Sequence, residues 1–251
     1  MNKKKILITG FPHTGTSILK SKLGECENVY EWAYEAPIVN LNMINVSGDK
    51  EFILIKYPQI PVEIRANHLM KVSRDSIYQD YNIIFIIRNP WNVFTSIVKS
   101  GYNPIKKIET HLDNEYHVQV TEYLAACEKF LNARNNKEDY PNIYTIKYEE
   151  LFLNNFENVF NIMNSIGLKY DGDIFNVRTK DYIHWQGESY KNIDENLLDY
   201  KKNKFEYRTW QINQPFQNMN GDVDIPDELS DILENSPIIK ELGYTDPRKI
   251  K

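Results

Sequence analysis

Four short apolar runs punctuate the chain, at residues 6–9, 52–56, 83–87 and 143–146. Isoleucine, leucine and phenylalanine follow one another in them instead of alternating with polar residues, the pattern of strands buried on both faces. Between these runs the hydrophobic period lengthens to that of a helix. Residues 17–23 predict a helix stopped by Gly24, residues 93–100 one stopped by Gly101, and residues 157–166 one stopped by Gly167. Glycine ends helices because it enters the left-handed region without a Cβ clash. Residues 114–135 carry Tyr116, Val120, Tyr123, Leu124, Cys127, Phe130 and Leu131 at helical spacing, which predicts a core-facing stripe. Residues 227–234 and 237–242 predict two further helices, after a long polar and aromatic stretch at 182–216.

Strands that alternate with helices imply a mainly parallel sheet covered on both faces, an α/β fold of three layers. The chain of 251 residues is 41% hydrophobic, enough for one substantial core, and no repeat or low-complexity linker divides it. A single domain over residues 1–251 is expected, with a less regular C-terminal third from about residue 169. A net charge of -5 argues against a broad nucleic-acid surface, so any anion-binding function must be focused in a pocket. The two cysteines, Cys26 and Cys127, lack disulfide or metal-ligand spacing and read as core thiols in a reducing compartment, with no metal site. No apolar run is long enough to span a bilayer, and Lys3, Lys4 and Lys5 lead only into a short strand. A cytoplasmic protein without a signal peptide or membrane span is therefore expected.

Candidate chemistry begins where the first strand ends, at Gly10-Phe-Pro-His-Thr-Gly-Thr-Ser17. The frame is that of a phosphate-binding loop, like that of P-loop NTPases, G-x-x-x-x-G-K-[ST], but Thr16 stands in the place of the lysine. Backbone amides and the positive end of a helix dipole suit an anion without any side-chain charge. Magnesium-assisted triphosphate chemistry is thereby disfavoured; a strand-to-helix turn without a ligand is the plain alternative. A second candidate follows the strand at 83–87, in Arg88-Asn-Pro-Trp-Asn-Val-Phe-Thr-Ser96. Arg88 leaves the carboxyl end of a strand, where parallel sheets bind ligands. Its planar fork of donors suits a phosphate, and a hydroxyl from Ser96 facing it can add to the pocket. The alternative there is an arginine paired with a surface carboxylate beside a helix-capping Asn89.

The two motifs, in this order and with eight residues from Arg88 to Ser96, resemble the sulfotransferases that use 3'-phosphoadenosine-5'-phosphosulfate (PAPS). A third likeness is Ile143-Tyr-Thr-Ile-Lys-Tyr-Glu-Glu-Leu151 with its following helix and Ile166-Gly-Leu168, similar to a late structural strand of that family. The resemblance implies that Pro12, His13, Thr14, Gly15, Thr16 and Ser17 hold the 5'-phosphosulfate and that Arg88 and Ser96 hold the 3'-phosphate. It further implies Lys56 on the transferring sulfuryl group, and Arg178 and Lys180 closing over the 3'-phosphate as a late basic loop does in the family. The products are 3',5'-bisphosphoadenosine (PAP) and a sulfated acceptor, with no metal required because these cations neutralise the nucleotide.

The chain departs from the family at two places. His13 stands where the loop usually carries Lys or Arg; an imidazole can still donate to the phosphosulfate, less strongly than an ammonium. Pro58 stands two residues after Lys56, where cytosolic members place a catalytic histidine, and proline accepts no proton. The glycosaminoglycan and tyrosyl-protein sulfotransferases, which use a glutamate about twenty residues beyond the loop, resemble the chain better there. Glu35 is the implied base, with Glu31 second, in an aromatic stretch whose neighbours can desolvate a carboxylate and strengthen it as a base. A carbohydrate is the favoured acceptor, before a small alcohol or a peptide tyrosine. Trp185, Tyr190 and Trp210 can stack on a sugar, and Lys106 and Lys107 can meet an anionic glycan. Two competing functions are a nucleotide or sugar kinase with an altered loop and a nucleotide-binding module that has lost catalysis.

Overall fold

The computed structural model describes residues 3–35, 48–57, 81–99, 120–175 and 222–250. Its elements run β1 (Lys4–Gly10), α1 (Thr16–Leu23), β2 (Val29–Glu35), β3 (Phe52–Tyr57), β4 (Tyr81–Ile87), α2 (Pro90–Lys99), α3 (Val120–Asn135), β5 (Ile143–Lys147), a 3-10 segment (Glu149–Phe156), α4 (Glu157–Ile166), α5 (Asp227–Asn235) and α6 (Pro237–Glu241). All four expected strands form, and they join a fifth in a sheet of order β2-β3-β1-β4-β5. Every neighbouring pair is parallel. The fifth strand, β2, was not among the strands expected, because its glutamates interrupt any apolar run. An edge position among the described strands explains it, since there β2 pairs on one side only and its composition need not be that of a central strand.

The central strands bury both faces, and their side chains divide by parity. Leu7, Ile53, Ile55, Ile83, Phe85 and Ile87 pack with α2, α3, α5 and α6. Ile6, Ile8, Leu54, Ile84 and Ile86 pack with α1 and α4. Each such side chain contributes about 1.5–3 kcal/mol relative to exposure, so the two core layers hold the loops at the sheet's rim in position. The thiols fall one in each layer: Cys26 beside α1 and α4, Cys127 on α3. Burial pushes both up to about 12.

The helix expected at 93–100 begins earlier, at Pro90. Proline tolerates the first helical position because no amide partner is needed there, and Asn89 Oδ1 accepts from the Trp91 amide at 3.1 Å as the cap. The stripe helix begins at Val120; Tyr116 and Gly101 lie outside the described residues, as does the stretch 182–216. Residues 222–250 dock against α2 instead of trailing from the domain. Trp91 Nε1 donates to Ser230 Oγ at 2.9 Å, and the Asp224 amide donates to Thr95 Oγ1 at 3.0 Å. Among the described residues no helix is long and apolar enough to cross a membrane.

Strand order places β1 between β3 and β4, so the chain crosses over β1 on its way from β3 to β4. The rim above the carboxyl end of β1 is therefore the switch point at which such sheets leave a crevice.

Candidate active site

The first turn is built around two glycines. A Cβ on Gly10 would stand 2.3 Å from the Ile86 carbonyl oxygen on β4, and one on Gly15 would stand 2.5 Å from Cδ2 of the Tyr148 ring. Gly15 also holds φ +96, a left-handed conformation that costs other residues energy. Between them Thr14 is fully buried, its hydroxyl donating to the Phe11 carbonyl at 2.7 Å. Gly15 is the N-cap of α1 and supplies no side-chain cap. The first amides of the helix therefore face the rim without an intrahelical partner, the arrangement that attracts an anion.

Gly15→Ala is accordingly expected to lower the melting temperature by about 2–12 °C, from ~1–3 kcal/mol of strain at about 2–4 °C per kcal/mol for a chain of this length. Differential scanning calorimetry measures it. An unchanged melting temperature would mean that the loop and the Tyr148 ring can part without cost.

Lys56 lies at the carboxyl end of β3, in register with Ile8. Its ammonium is largely buried and donates to Ser17 Oγ at 2.8 Å, in the first turn of α1. On the other side of β3, Glu35 of β2 is in register with Lys56. The pairing is irregular between Glu31 and Glu35, so the strand shifts just before it reaches the rim. Glu31 is occupied below it. Lys20 of α1 pairs with its carboxylate at 2.9 Å and donates to the Trp32 carbonyl at 2.7 Å.

Arg88 follows β4, and its guanidinium lies over the Tyr148 ring at 4.3 Å from the centroid, a cation–π geometry. The Tyr123 hydroxyl donates to its carbonyl. Ser96 was expected to face Arg88. Its hydroxyl meets His13 Nδ1 at 2.8 Å, with the donor set by the imidazole tautomer. His13 reaches this position in a left-handed conformation, φ 66, and is exposed. The two motifs, separated by 83 residues between His13 and Ser96, are thus joined directly.

One rim therefore gathers Pro12, His13, Thr14, Gly15, Thr16, Ser17, Lys56, Arg88 and Ser96, with Glu35 at the neighbouring register position. Tyr148 was read as part of a structural strand only; its ring touches both Gly15 and Arg88. Its position, the first residue past β5 at the carboxyl rim, was the available signal. Arg178, Lys180, Trp185, Tyr190, Trp210, Lys106 and Lys107 lie outside the described residues.

A scan against protein-family models matches the sulfotransferase domain over residues 3–206. The chain belongs to the sulfotransferase domain family. Membership makes this sulfotransferase a PAPS-dependent enzyme, with PAPS as donor and PAP as product. A search of curated protein sequences finds no match. Among solved structures, the sulfotransferase is similar to mouse sulfotransferase SULT7A1 complexed with PAP, at 15% identity and TM-score 0.49, covering 97% of this chain and 89% of that one. Retinol dehydratase in complex with androsterone and inactive cofactor PAP matches at 12% identity and TM-score 0.43, over 90% of this chain and 84% of that one. The same named protein with retinol and PAP matches at 10% identity and TM-score 0.42, over 96% and 81%.

Proposed function

We infer that the sulfotransferase transfers the sulfuryl group to a hydroxyl or amine of a carbohydrate, with Glu35 as general base. The observation that carries this is the shared register of Glu35 and Lys56, whose ammonium bonds to Ser17 at the start of α1. The strand position of Glu35, a buried cation and an anion cradle thus share one rim. The residues fit the nucleotide: the α1 amides carry no side-chain cap, and the cradle at Gly15 has no room for a Cβ.

PAPS, when bound, supplies an activated sulfuryl group on a phosphate leaving group. The amides of Thr14 to Ser17, with the helix dipole, hold the 5'-phosphate. Lys56 and His13 steady the sulfuryl and leaving oxygens, where charge develops during in-line transfer. Arg88 and Ser96 hold the 3'-phosphate, and the family resemblance adds Arg178 and Lys180 to its ligands. Glu35 accepts the proton of the acceptor hydroxyl. The lysine that a triphosphate loop carries is replaced here by Lys56, which brings its charge from β3.

Aromatic residues for stacking, Trp185, Tyr190 and Trp210, support a sugar acceptor. A small alcohol is the second reading, favoured by the retinol and androsterone named with the structural neighbours. The test is a calorimetric titration followed by an acceptor screen with labelled PAPS. Tight PAP binding without magnesium and sulfation of a glycan are the expected results. Preference for ATP with magnesium would overturn the reading in favour of a kinase, and PAP binding without turnover of any acceptor would leave a binding module.

A further inference from the structure

We propose that Glu149 is a positioning residue for Arg88, and that it ties the 3'-phosphate arm of the site to the C-terminal segment. The proposal rests on the assignment of Arg88 and Ser96 to the 3'-phosphate. Between β4 and α2 the chain must stop as a strand and start as a helix within Arg88 and Asn89. One peptide unit makes that change, and it is gripped at both ends. Its carbonyl, from Arg88, accepts from the Tyr123 hydroxyl; its amide, from Asn89, donates to Glu149 Oε1 at 2.8 Å.

The amide of an N-cap residue has no partner within its own helix, so an outside acceptor decides its direction. A carboxylate is the strongest acceptor available to it, and negative charge is favoured at a helix N-terminus. Glu149 is itself held: its Oε2 accepts from the Tyr244 hydroxyl at 3.0 Å. Tyr244 is buried, and next to it the Thr245 carbonyl accepts from Asn89 Nδ2 at 3.2 Å. Asp246 completes the dock, accepting from Arg248 Nη2 at 2.7 Å and from the Ser230 hydroxyl at 3.2 Å. Ser230 in turn receives the Trp91 indole N–H. The turn that launches the Arg88 side chain is thus set by Glu149, and Glu149 by residues from the end of the chain.

Rotation of that peptide unit would swing the guanidinium off line, and an arginine fork reads a phosphate by direction as much as by charge. Loss of Glu149 is therefore felt by the 3'-phosphate and not by the 5'-phosphate, which the α1 loop holds. The experiment is a comparison of PAP with AMP, which lacks the 3'-phosphate, by calorimetry on the full chain. Glu149→Ala is expected to weaken PAP about tenfold, the effect of roughly 1.4 kcal/mol, while AMP binding is unchanged. Glu149→Gln, which keeps an acceptor for the Asn89 amide, should restore most of the preference.

Equal weakening of PAP and AMP in Glu149→Ala, or an unaltered ratio, overturns the proposal, since a merely structural role would produce one or the other. Should that variant fail to fold, Tyr244→Phe decides: a PAP-selective loss of about two- to threefold, below 1 kcal/mol, supports the proposal, and a wild-type ratio overturns it. A wild-type protein that does not prefer PAP to AMP would instead sink the assignment of Arg88 and Ser96 on which the proposal rests.

Discussion

Glu35→Gln is expected to lower the rate of sulfuryl transfer by about 10²- to 10⁴-fold, the usual contribution of a positioned general base, while PAP binds as before. Glutamine keeps the size and one hydrogen-bonding oxygen of the side chain and loses its negative charge and its ability to take a proton. The phosphate contacts assigned to the α1 loop, Arg88 and Ser96 are untouched by the change. Single-turnover transfer and a PAP titration on the same preparation separate the two effects. Transfer at the wild-type rate would remove Glu35 from the mechanism. Glu31 would be a poor heir, since Lys20 already pairs with it at 2.9 Å.

Lys56→Met should cost about 10²- to 10³-fold in kcat, as when one preorganised donor is removed from a developing anion. Methionine retains much of the apolar stem beside β1 and β2, so packing is largely preserved. The cation is largely buried and donates to Ser17 Oγ. Slower transfer is the expected result, with the melting temperature measured on the same preparation. A melting temperature that falls along with the rate would mean that Lys56 chiefly holds α1 against β3. The effects of Glu35→Gln and Lys56→Met should not add, because neighbouring groups acting on one step share the same loss.

The central strands were legible because burial on both faces forces continuous apolar runs, and the ends of α1 and α4 because Gly24 and Gly167 cap them. The turn at Gly10–Ser17 was legible for a related reason: its glycines stand where a Cβ would meet Ile86 or the Tyr148 ring. What escaped was tertiary. β2 reads as a polar segment until its edge position is known. The His13–Ser96 hydrogen bond joins side chains far apart in sequence, and neither motif alone predicts it. The docking of residues 222–250 depends on Ser230, Asp246 and Arg248, polar residues whose local sequence suggests only a charged surface. Its effect is nonetheless to bolt down α2, the helix that carries Ser96.

The separation of Cys26 and Cys127 into opposite layers equips the molecule with two native stopwatches. A thiol held at about 12 carries almost no thiolate near neutrality, and the thiolate is the form that reacts. A labelling reagent therefore finds sulfur only after the surrounding layer has come apart. The order in which Cys26 and Cys127 react reports which half of the sandwich yields first, with no engineered cysteine needed.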